Sequence, residues 1–251
     1  MRLFLHELRA QQKLFWRNRE AAFFSFLFPV LLLVLIGSVY GDEPIEGVDA
    51  STFLLIGLLG YGVAANAFAG LAITLVVRRE AGLLKRVRGT PLSPATYLSA
   101  VIGSTVVVIG LQVVAQLLLG VFLLDAEWPE RPLAFVFAIL TGAAAFAALG
   151  IAITTIVRTA EGSSAVVNAI YLPMAFISGV FFSTEDMPAF LEAIAEVLPL
   201  TYFIDLIRAS FVTGEDYAGS AVAAVVVWGL FGLAVAVRRF RWEPREGVSG
   251  A

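Results

Sequence analysis

The chain has 251 residues, of which 59% are hydrophobic and 15% are charged, and its formal net charge is −3. Soluble domains are nearer half apolar and a quarter charged, so this composition indicates a polytopic membrane protein rather than a soluble enzyme. The chain has no cysteine and a single histidine, His6, which excludes disulfides, thiolate metal sites and multi-histidine metal sites.

The first twenty residues predict a helix that lies along the membrane surface. Its basic residues recur at spacings of three and four, so they form one stripe, consisting of Arg2, His6, Arg9, Lys13 and Arg17. Such an interfacial helix turns its cations toward anionic lipid headgroups. The stripe is either a simple membrane anchor or also a contact surface for a cytoplasmic partner, and the sequence is compatible with both.

Six long apolar runs predict six membrane-spanning helices, since about 20 apolar residues are needed to cross ~30 Å of hydrocarbon. The runs are 21–40, 53–77, 95–124, 133–157, 165–182 and 218–237. The third run is long enough to tilt or to project beyond the bilayer. The first run is too long for the core of a signal peptide and lacks a good small-residue cleavage site, so we expect a retained span.

The charges between these runs indicate the orientation of the chain. Fifteen of the 17 cations fall in one set of segments, namely 1–20, 78–94, 158–164 and 238–251. Fourteen of the 20 acids fall in the alternate segments, namely 41–52, 125–132 and 183–217. Because cytoplasmic loops are enriched in Lys and Arg, we expect both termini in the cytoplasm, with 238–251 as a basic cytoplasmic tail.

The sequence lacks the parts of several transport mechanisms. The chain has two lysines, Lys13 and Lys85, and neither lies in the G-x-x-x-x-G-K-[ST] pattern of a P-loop. The six runs contain no Asp, Glu, Lys, Arg or His, the residues that ion-coupled transporters and proton pumps usually place in the bilayer. We therefore expect no catalytic residue and no metal site.

Residues 78–94, RREAGLLKRVRGTPLSP, form a basic segment between the second and third runs. Helical spacing predicts a short helix with Glu80, Leu83, Leu84 and Val87 on one side. Thr90–Pro91 would end this helix, and Ser93–Pro94 would cap and begin the third span. A basic loop that only fixes topology is one explanation, but it does not account for Glu80, Gly82 and the apolar ridge, which favour a docking surface.

Residues 184–211 predict two short apolar helices separated by Pro199, neither long enough to cross a membrane. Asp205 and Arg208 are spaced i,i+3 and are expected to pair. Non-helical backbone at membrane depth needs cover from protein or water. An amphipathic hairpin on the outer surface is the alternative.

The string REAGLLKRVRGTPLSPATYL resembles the cytoplasmic loop of type-2 ABC exporter permeases, the membrane subunits that pair with a separate ATPase. It departs from their pattern at Leu83, where threonine is common. Residues 171–211, YLPMAFISGVFFSTEDMPAFLEAIAEVLPLTYFIDLIRASF, resemble the same family between the fifth and sixth spans, with S-G-x-F-F, then M-P, then P-L-T-Y.

This resemblance covers essentially the whole chain and implies an all-α polytopic membrane protein with a single permease domain, residues 1–251. It implies an interfacial helix at 1–20, spans 1–4 within 21–157 and spans 5–6 within 165–237. It also implies a short cytoplasmic coupling helix between spans 2 and 3 and an outer-leaflet re-entrant helical hairpin at 184–211.

The resemblance also implies partners and site residues. The partners would be an ABC ATPase subunit, which would bind ATP and Mg, a second identical or related permease chain, and the lipid membrane; no nucleic acid is expected. The residues expected to dock the ATPase are Glu80, Gly82, Leu83, Leu84, Lys85, Arg86, Val87 and Arg88. The residues expected to shape the hairpin are Met187, Pro188, Pro199, Tyr202, Asp205 and Arg208.

The function implied is export of a hydrophobic or amphipathic substrate, such as a drug, a lipid or a lipid-linked glycan, across the plasma membrane of a prokaryote. A stand-alone membrane scaffold or passive pore is the alternative, and in that case residues 78–94 would be only a topology signal. A secondary transporter is disfavoured by the absence of charges from the six runs.

Overall fold

The computed structural model describes residues 2–37, 45, 48–90, 92–157, 159–183, 187–212 and 219–240, and in these ranges it contains helices and no strand. The helices are α1 (Arg2–Arg17), α2 (Arg19–Gly37), α3 (Ala50–Glu80), α4 (Leu83–Arg88), α5 (Pro94–Leu124), α6 (Pro132–Ile153), α7 (Ala160–Ile177), α8 (Ala189–Ala195), α9 (Pro199–Arg208) and α10 (Gly219–Arg239). One isolated antiparallel bridge joins Ile45 and Val48.

Five of the described helices, α2, α3, α5, α6 and α10, are long and apolar enough to cross a membrane. The expectation of an all-helical, membrane-integral protein is therefore confirmed. Helix α7, which matches the predicted fifth span, has 18 residues and is not among the five. Helix α7 is shorter than the five others. It carries the charged residue Glu161 in its first turn and Pro173 in its interior. The sixth span stays a prediction.

Helix ends differ from the predicted runs where polar residues continue or cap a helix. Helix α3 extends beyond the predicted run 53–77 at both ends. Helix α6 ends at Ile153, four residues before the end of the predicted run 133–157. Helix α7 begins at Ala160 rather than at residue 165, because the Thr159 hydroxyl accepts a hydrogen bond from the Gly162 amide at 3.1 Å and caps the helix. Helix α5 begins as predicted, with Ser93 as its cap and Pro94 as its first residue.

Helix α3 lies at the centre of the fold and is the most buried of the long helices, whereas most of α2 is exposed. Helix α3 packs against α2, α5, α6, α7 and α9. Helix α10 packs instead on α6 and α9, and its residues Gly229 and Gly232 allow close approach to α6, where a Cβ atom would meet Ala145 and the backbone of Leu149. The core is therefore arranged around one helix, and α2 is held to it by comparatively few contacts.

Helix α1 lies along α5, outside the core. The Gln12 side chain donates hydrogen bonds from Nε2 to the backbone oxygen and the hydroxyl of Ser104, both at 2.9 Å. The predicted helix over 1–20 ends at Arg17, because Asn18 leaves helical geometry and its side chain caps α2. All five basic residues of the predicted stripe are exposed. Their contact with lipid stays a prediction.

The predicted hairpin contains two short helices, α8 and α9, although residues 184–186 lie outside the described residues. Met187 and Pro188 precede α8, and Pro199 is the first residue of α9. The Tyr202 hydroxyl donates to the Glu196 carbonyl between the two helices. Helix α9 packs against α3, α6 and α10. The depth of the hairpin in a membrane stays a prediction.

The predicted pair within α9 is confirmed, since Arg208 Nη1 lies 3.4 Å from Asp205 Oδ1. The Arg208 guanidinium also lies 5.4 Å from the centre of the Phe53 ring on α3. These contacts hold Arg208, the only cation in the described range 187–212, against the central helix.

Helices α2 and α3 each contain a π-helical turn, Phe23–Leu27 and Ala65–Gly70. In α2 the π turn lies just before Pro29. Proline has no N–H to donate to the carbonyl one turn earlier. The amide of the preceding residue, Phe28, donates to the Phe23 carbonyl, five residues back. The irregularity that a proline introduces into a helix therefore takes the form of a π turn here.

A chain of buried amide side chains joins these π turns to α5. Ser25 Oγ donates to Asn66 Oδ1 at 2.8 Å, and Asn66 Nδ2 donates to Gln112 Oε1 at 2.7 Å. Gln112 Nε2 then donates to Gln116 Oε1 at 2.7 Å, and Gln116 Nε2 donates to the Leu58 carbonyl at 3.4 Å. This amide chain connects α2, α3 and α5 within the region that would lie in hydrocarbon, where water cannot satisfy polar groups.

The amide chain requires a glycine on α3. A Cβ atom at Gly62 would lie 1.7 Å from Gln112 Nε2, so no larger residue fits while Gln112 keeps its position. The Gly62 carbonyl in turn accepts a hydrogen bond from Asn66 Nδ2 at 3.0 Å. Gly62 thus allows α3 and α5 to approach closely and also takes part in the hydrogen bonding.

We expect Gln112→Ala to lower the free energy of unfolding by about 2–4 kcal/mol, because it leaves a cavity and removes the partners of Asn66 and Gln116. The measurement is denaturation of the purified chain in detergent, followed by circular dichroism. Leu111→Ala is the matched control, since Leu111 is 47% exposed on the same helix. Equal losses in the two variants would show that the amide chain adds nothing to ordinary packing.

Candidate functional site

The last three residues of α3, Arg78, Arg79 and Glu80, each bind a different helix end, and we call them the RRE junction. Arg78 Nη1 donates to the Tyr97 hydroxyl at 3.0 Å. Tyr97 lies in the first turns of α5 and is 2% exposed. Arg78 therefore connects the end of α3 to the beginning of α5.

Arg79 is buried, with 4% of its surface exposed, although it lies in a segment expected to be a loop. Its guanidinium donates to the Thr154 carbonyl at 2.8 Å and to the Val157 carbonyl at 2.7 Å. These carbonyls follow the last turn of α6, where the helix dipole leaves partial negative charge. Arg79 thus supplies the cation that the end of α6 favours.

Glu80 is exposed, and its Oε2 accepts a hydrogen bond from the Ala160 amide at 2.6 Å. Ala160 is the first residue of α7, and a carboxylate is favourable at the positive end of a helix. The bond also helps explain why α7 begins earlier than the apolar run suggested. The carboxylate of Glu80 thus contacts the chain's own backbone while remaining exposed, and its expected role in docking the ATPase stays a prediction.

Helix α4 is separated from the RRE junction by Ala81 and Gly82. Gly82 has φ 67°, a left-handed conformation that residues with a side chain rarely adopt, and it lets the chain turn sharply between the two helices. Leu84 is fully buried against the core, and Val87 is half-buried against it. Leu84 therefore fixes α4 to the protein.

The prediction that one side of a short helix carries Glu80, Leu83, Leu84 and Val87 is wrong. The break at Gly82 leaves Glu80 on α3, and Leu83 is 38% exposed whereas Leu84 is buried. The expected docking set is therefore divided between residues that face the core and residues that face outward. On α4 itself the described outward residues are Leu83, Lys85 and Arg86, and we call them the α4 face; Glu80, at the end of α3, is also exposed. The side chain of Arg88 lies outside the described residues.

A half-open cavity of about 530 Å³ lies beside the central helix, between α2, α3 and α7, and Leu35, Phe176 and Phe182 are largely exposed at its rim. Its described lining is aliphatic and aromatic and includes Phe28, Tyr61, Phe176, Phe181 and Phe182. The size and apolar character suit a ligand with a substantial hydrophobic part. Sequence reasoning had left the lining unassigned, because it combines residues from three helices and from the segment after α7.

Among the described residues no group of three or more His, Asp or Glu side chains is arranged to hold a metal ion. Glu80 and Arg79 are engaged by backbone groups at helix ends, an arrangement that holds structure together rather than one that activates a nucleophile or a water. The described site therefore consists of an apolar cavity, the RRE junction and the α4 face.

Comparison with known proteins places the chain among transport proteins. Residues 2–212 match the family model described as ABC-2 type transporter. The chain is 26% identical over 200 residues to YvfS of Bacillus subtilis, named as a transport permease, and the match covers 77% of this chain and 79% of YvfS.

Two further relatives come from Escherichia coli. The inner membrane transport permease YadH is 24% identical over 196 residues, covering 76% of this chain and 73% of YadH. YbhS, named as a multidrug ABC transporter permease, is 33% identical over 90 residues, covering 36% of this chain and 22% of YbhS. The family match spans most of the chain and agrees with its long apolar helices, so the chain belongs to the ABC-2 type transporter family and is a membrane-integral permease component of a transporter.

Proposed function

We propose that this permease exports a hydrophobic or amphipathic substrate by using ATP that is hydrolysed on a separate ATPase subunit. The observation that carries the proposal is the α4 face, which presents two cations and one leucine on a short helix anchored to the core by Leu84. A surface that combines apolar and cationic groups and is fixed to the central helix suits a protein partner with a partly acidic groove.

The substrate class follows from the apolar cavity. A drug, a lipid or a lipid-linked glycan has the hydrophobic part that such a lining accommodates, whereas a small inorganic ion would find no charged ligand among the described lining residues. We take the exporter to contain two permease chains, identical or related, and two ATPase subunits, with both termini of the permease in the cytoplasm of a prokaryote. ATP and Mg would bind on the ATPase.

The family's typical partnership with an ATPase and the name of YbhS support this proposal. The basic segments on one side support the orientation, because cations favour the cytoplasmic side. A stand-alone scaffold or passive pore is the competing function, and it would require no partner at the α4 face.

We expect the double charge reversal Lys85→Glu and Arg86→Glu to reduce recovery of the ATPase about tenfold, which corresponds to ~1.4 kcal/mol of binding free energy. The measurement is affinity purification of the tagged chain from native membranes in mild detergent, with quantitative mass spectrometry of co-purified P-loop ATPases. Arg238→Glu with Arg239→Glu is the matched control, because it reverses two exposed charges at the end of α10.

Two outcomes would contradict parts of this proposal. Equal recovery of the ATPase by both double variants would remove the α4 face as the docking surface. If the unchanged chain brings down no ATPase from membranes in which one is expressed, and crosslinking also detects none, the scaffold or passive pore becomes the better explanation.

We expect Leu172→Trp to lower labelling of the cavity by a diazirine-bearing phospholipid several-fold, because the indole would occupy part of the lining. The measurement is mass spectrometry of labelled peptides that contain Phe176 or Phe181, after irradiation in lipid nanodiscs. Leu140→Trp on α6 is the control, since Leu140 is 53% exposed and is not part of the lining. Unchanged labelling in the Leu172 variant would mean that the probe does not enter the cavity.

A further inference from the structure

We propose that the RRE junction consists of positioning residues that make α4 move as one unit with the beginning of α5, the end of α6 and the beginning of α7. This inference rests on the proposed function, since it concerns how movement imposed on the α4 face by a partner would reach the membrane helices. It assigns Arg78, Arg79 and Glu80 the role of connecting helices of the permease to one another.

The first argument is the position of the junction in the chain. Only Ala81 and Gly82 lie between Glu80 and α4, so a displacement of α4 acts first on the end of α3. Leu84 adds a second connection, because it is fully buried beneath α4. Helix α4 therefore cannot shift far without either moving the end of α3 or exposing an apolar side chain.

The second argument is that the three residues reach three different helices. Arg78 binds Tyr97 on α5, Arg79 binds the two carbonyls that follow α6, and Glu80 binds the first amide of α7. Arg79 and Glu80 together hold both ends of the short connection between α6 and α7, at Val157 and Ala160. The end of the central helix is thus attached to that connection on both sides.

The third argument is electrostatic. Each charge lies at the helix end whose dipole favours it: a cation at the carbonyl end of α6 and an anion at the amide end of α7. Arg79 is 4% exposed, so pulling its guanidinium away from the carbonyls would break two hydrogen bonds to a buried charge. These hydrogen bonds are kept if the RRE junction and the helix ends that it binds move together, and they are lost if they separate.

A purely stabilising role would leave the relative motion of α4 and α7 unaffected by Glu80, and this difference can be measured. The chain has no cysteine, so spin labels can be attached at chosen sites without removing native ones. Lys85→Cys on α4 and Ala165→Cys on α7 place labels on two exposed positions. The distribution of distances between them, measured by double electron–electron resonance on the full chain in lipid nanodiscs, reports whether the two helices move together.

We expect a narrow distance distribution in the labelled chain, and a distribution roughly twofold or more wider after Glu80→Ala. Glu80→Gln should retain most of the narrow distribution, because its amide oxygen still accepts the hydrogen bond from Ala160. Glu161→Gln is the matched control, since it removes a carboxylate from the first turn of α7 and leaves the bond between Glu80 and Ala160 intact. The substitutions are made at the exposed Glu80 rather than the buried Arg79, so folding is preserved.

An unchanged narrow distribution in Glu80→Ala would overturn the proposal. Equal broadening in Glu80→Gln and Glu80→Ala would also overturn it, because the hydrogen bond would then not be what holds α7. These measurements need no partner, so they stand even if no ATPase is found and the proposed function fails.

A second measurement separates positioning from docking. Glu80→Ala should co-purify with as much ATPase as the unchanged chain, because the carboxylate is engaged by the Ala160 amide and the substitution leaves Leu83, Lys85 and Arg86 in place. In the recovered complex, the distance is then measured between the label at position 165 in one permease chain and the same label in the second chain. We expect ATP binding to change this distance in the unchanged chain and to leave it constant in Glu80→Ala. Loss of ATPase recovery instead would make Glu80 a docking contact and overturn the positioning role.

Discussion

Hydrocarbon offers no hydrogen-bond partner, and this constraint governs how the chain is built. Every polar group away from water has to be paired within the protein, and α3 supplies several of these partners because it packs against α2, α5, α6, α7 and α9. In its middle, Asn66 connects α2 and α5 through side-chain amides. At its end, beyond the predicted span, the RRE junction binds backbone groups next to α6 and α7. The central helix thus provides the polar contacts as well as the packing.

The two sides of the fold differ in how firmly they are held. The end of α3 near α4 is fixed by charge-assisted hydrogen bonds to three helices, which are among the stronger contacts available to a protein. Helix α2, in contrast, exposes most of its surface and lies beside the apolar cavity. In the exporter proposed above, the end of α3 would receive the movement of the ATPase, and α2 would border the substrate.

Local patterns in the sequence predicted local structure well. The apolar runs located the long helices, Ser93–Pro94 located the beginning of α5, and the i,i+3 spacing identified the pair of Asp205 and Arg208. What the sequence could not supply were contacts between residues far apart in the chain. Helical spacing placed Glu80 on the same face as Leu84, because the left-handed turn at Gly82 and the distant Ala160 amide are invisible to periodicity. The burial of Arg79 and the cavity lining depend in the same way on neighbours from other helices.

The close approach at Gly62 restricts how this protein can evolve. Gly62 and Gln112 share one small volume, since a methyl group at the first position would overlap the amide nitrogen of the second. While the glutamine remains, the glycine cannot drift to any other residue without displacing it. A larger residue on α3 would push the end of the Gln112 side chain aside and disturb its hydrogen bonds to Asn66 and Gln116. The residues tolerated at these two distant positions therefore depend on each other.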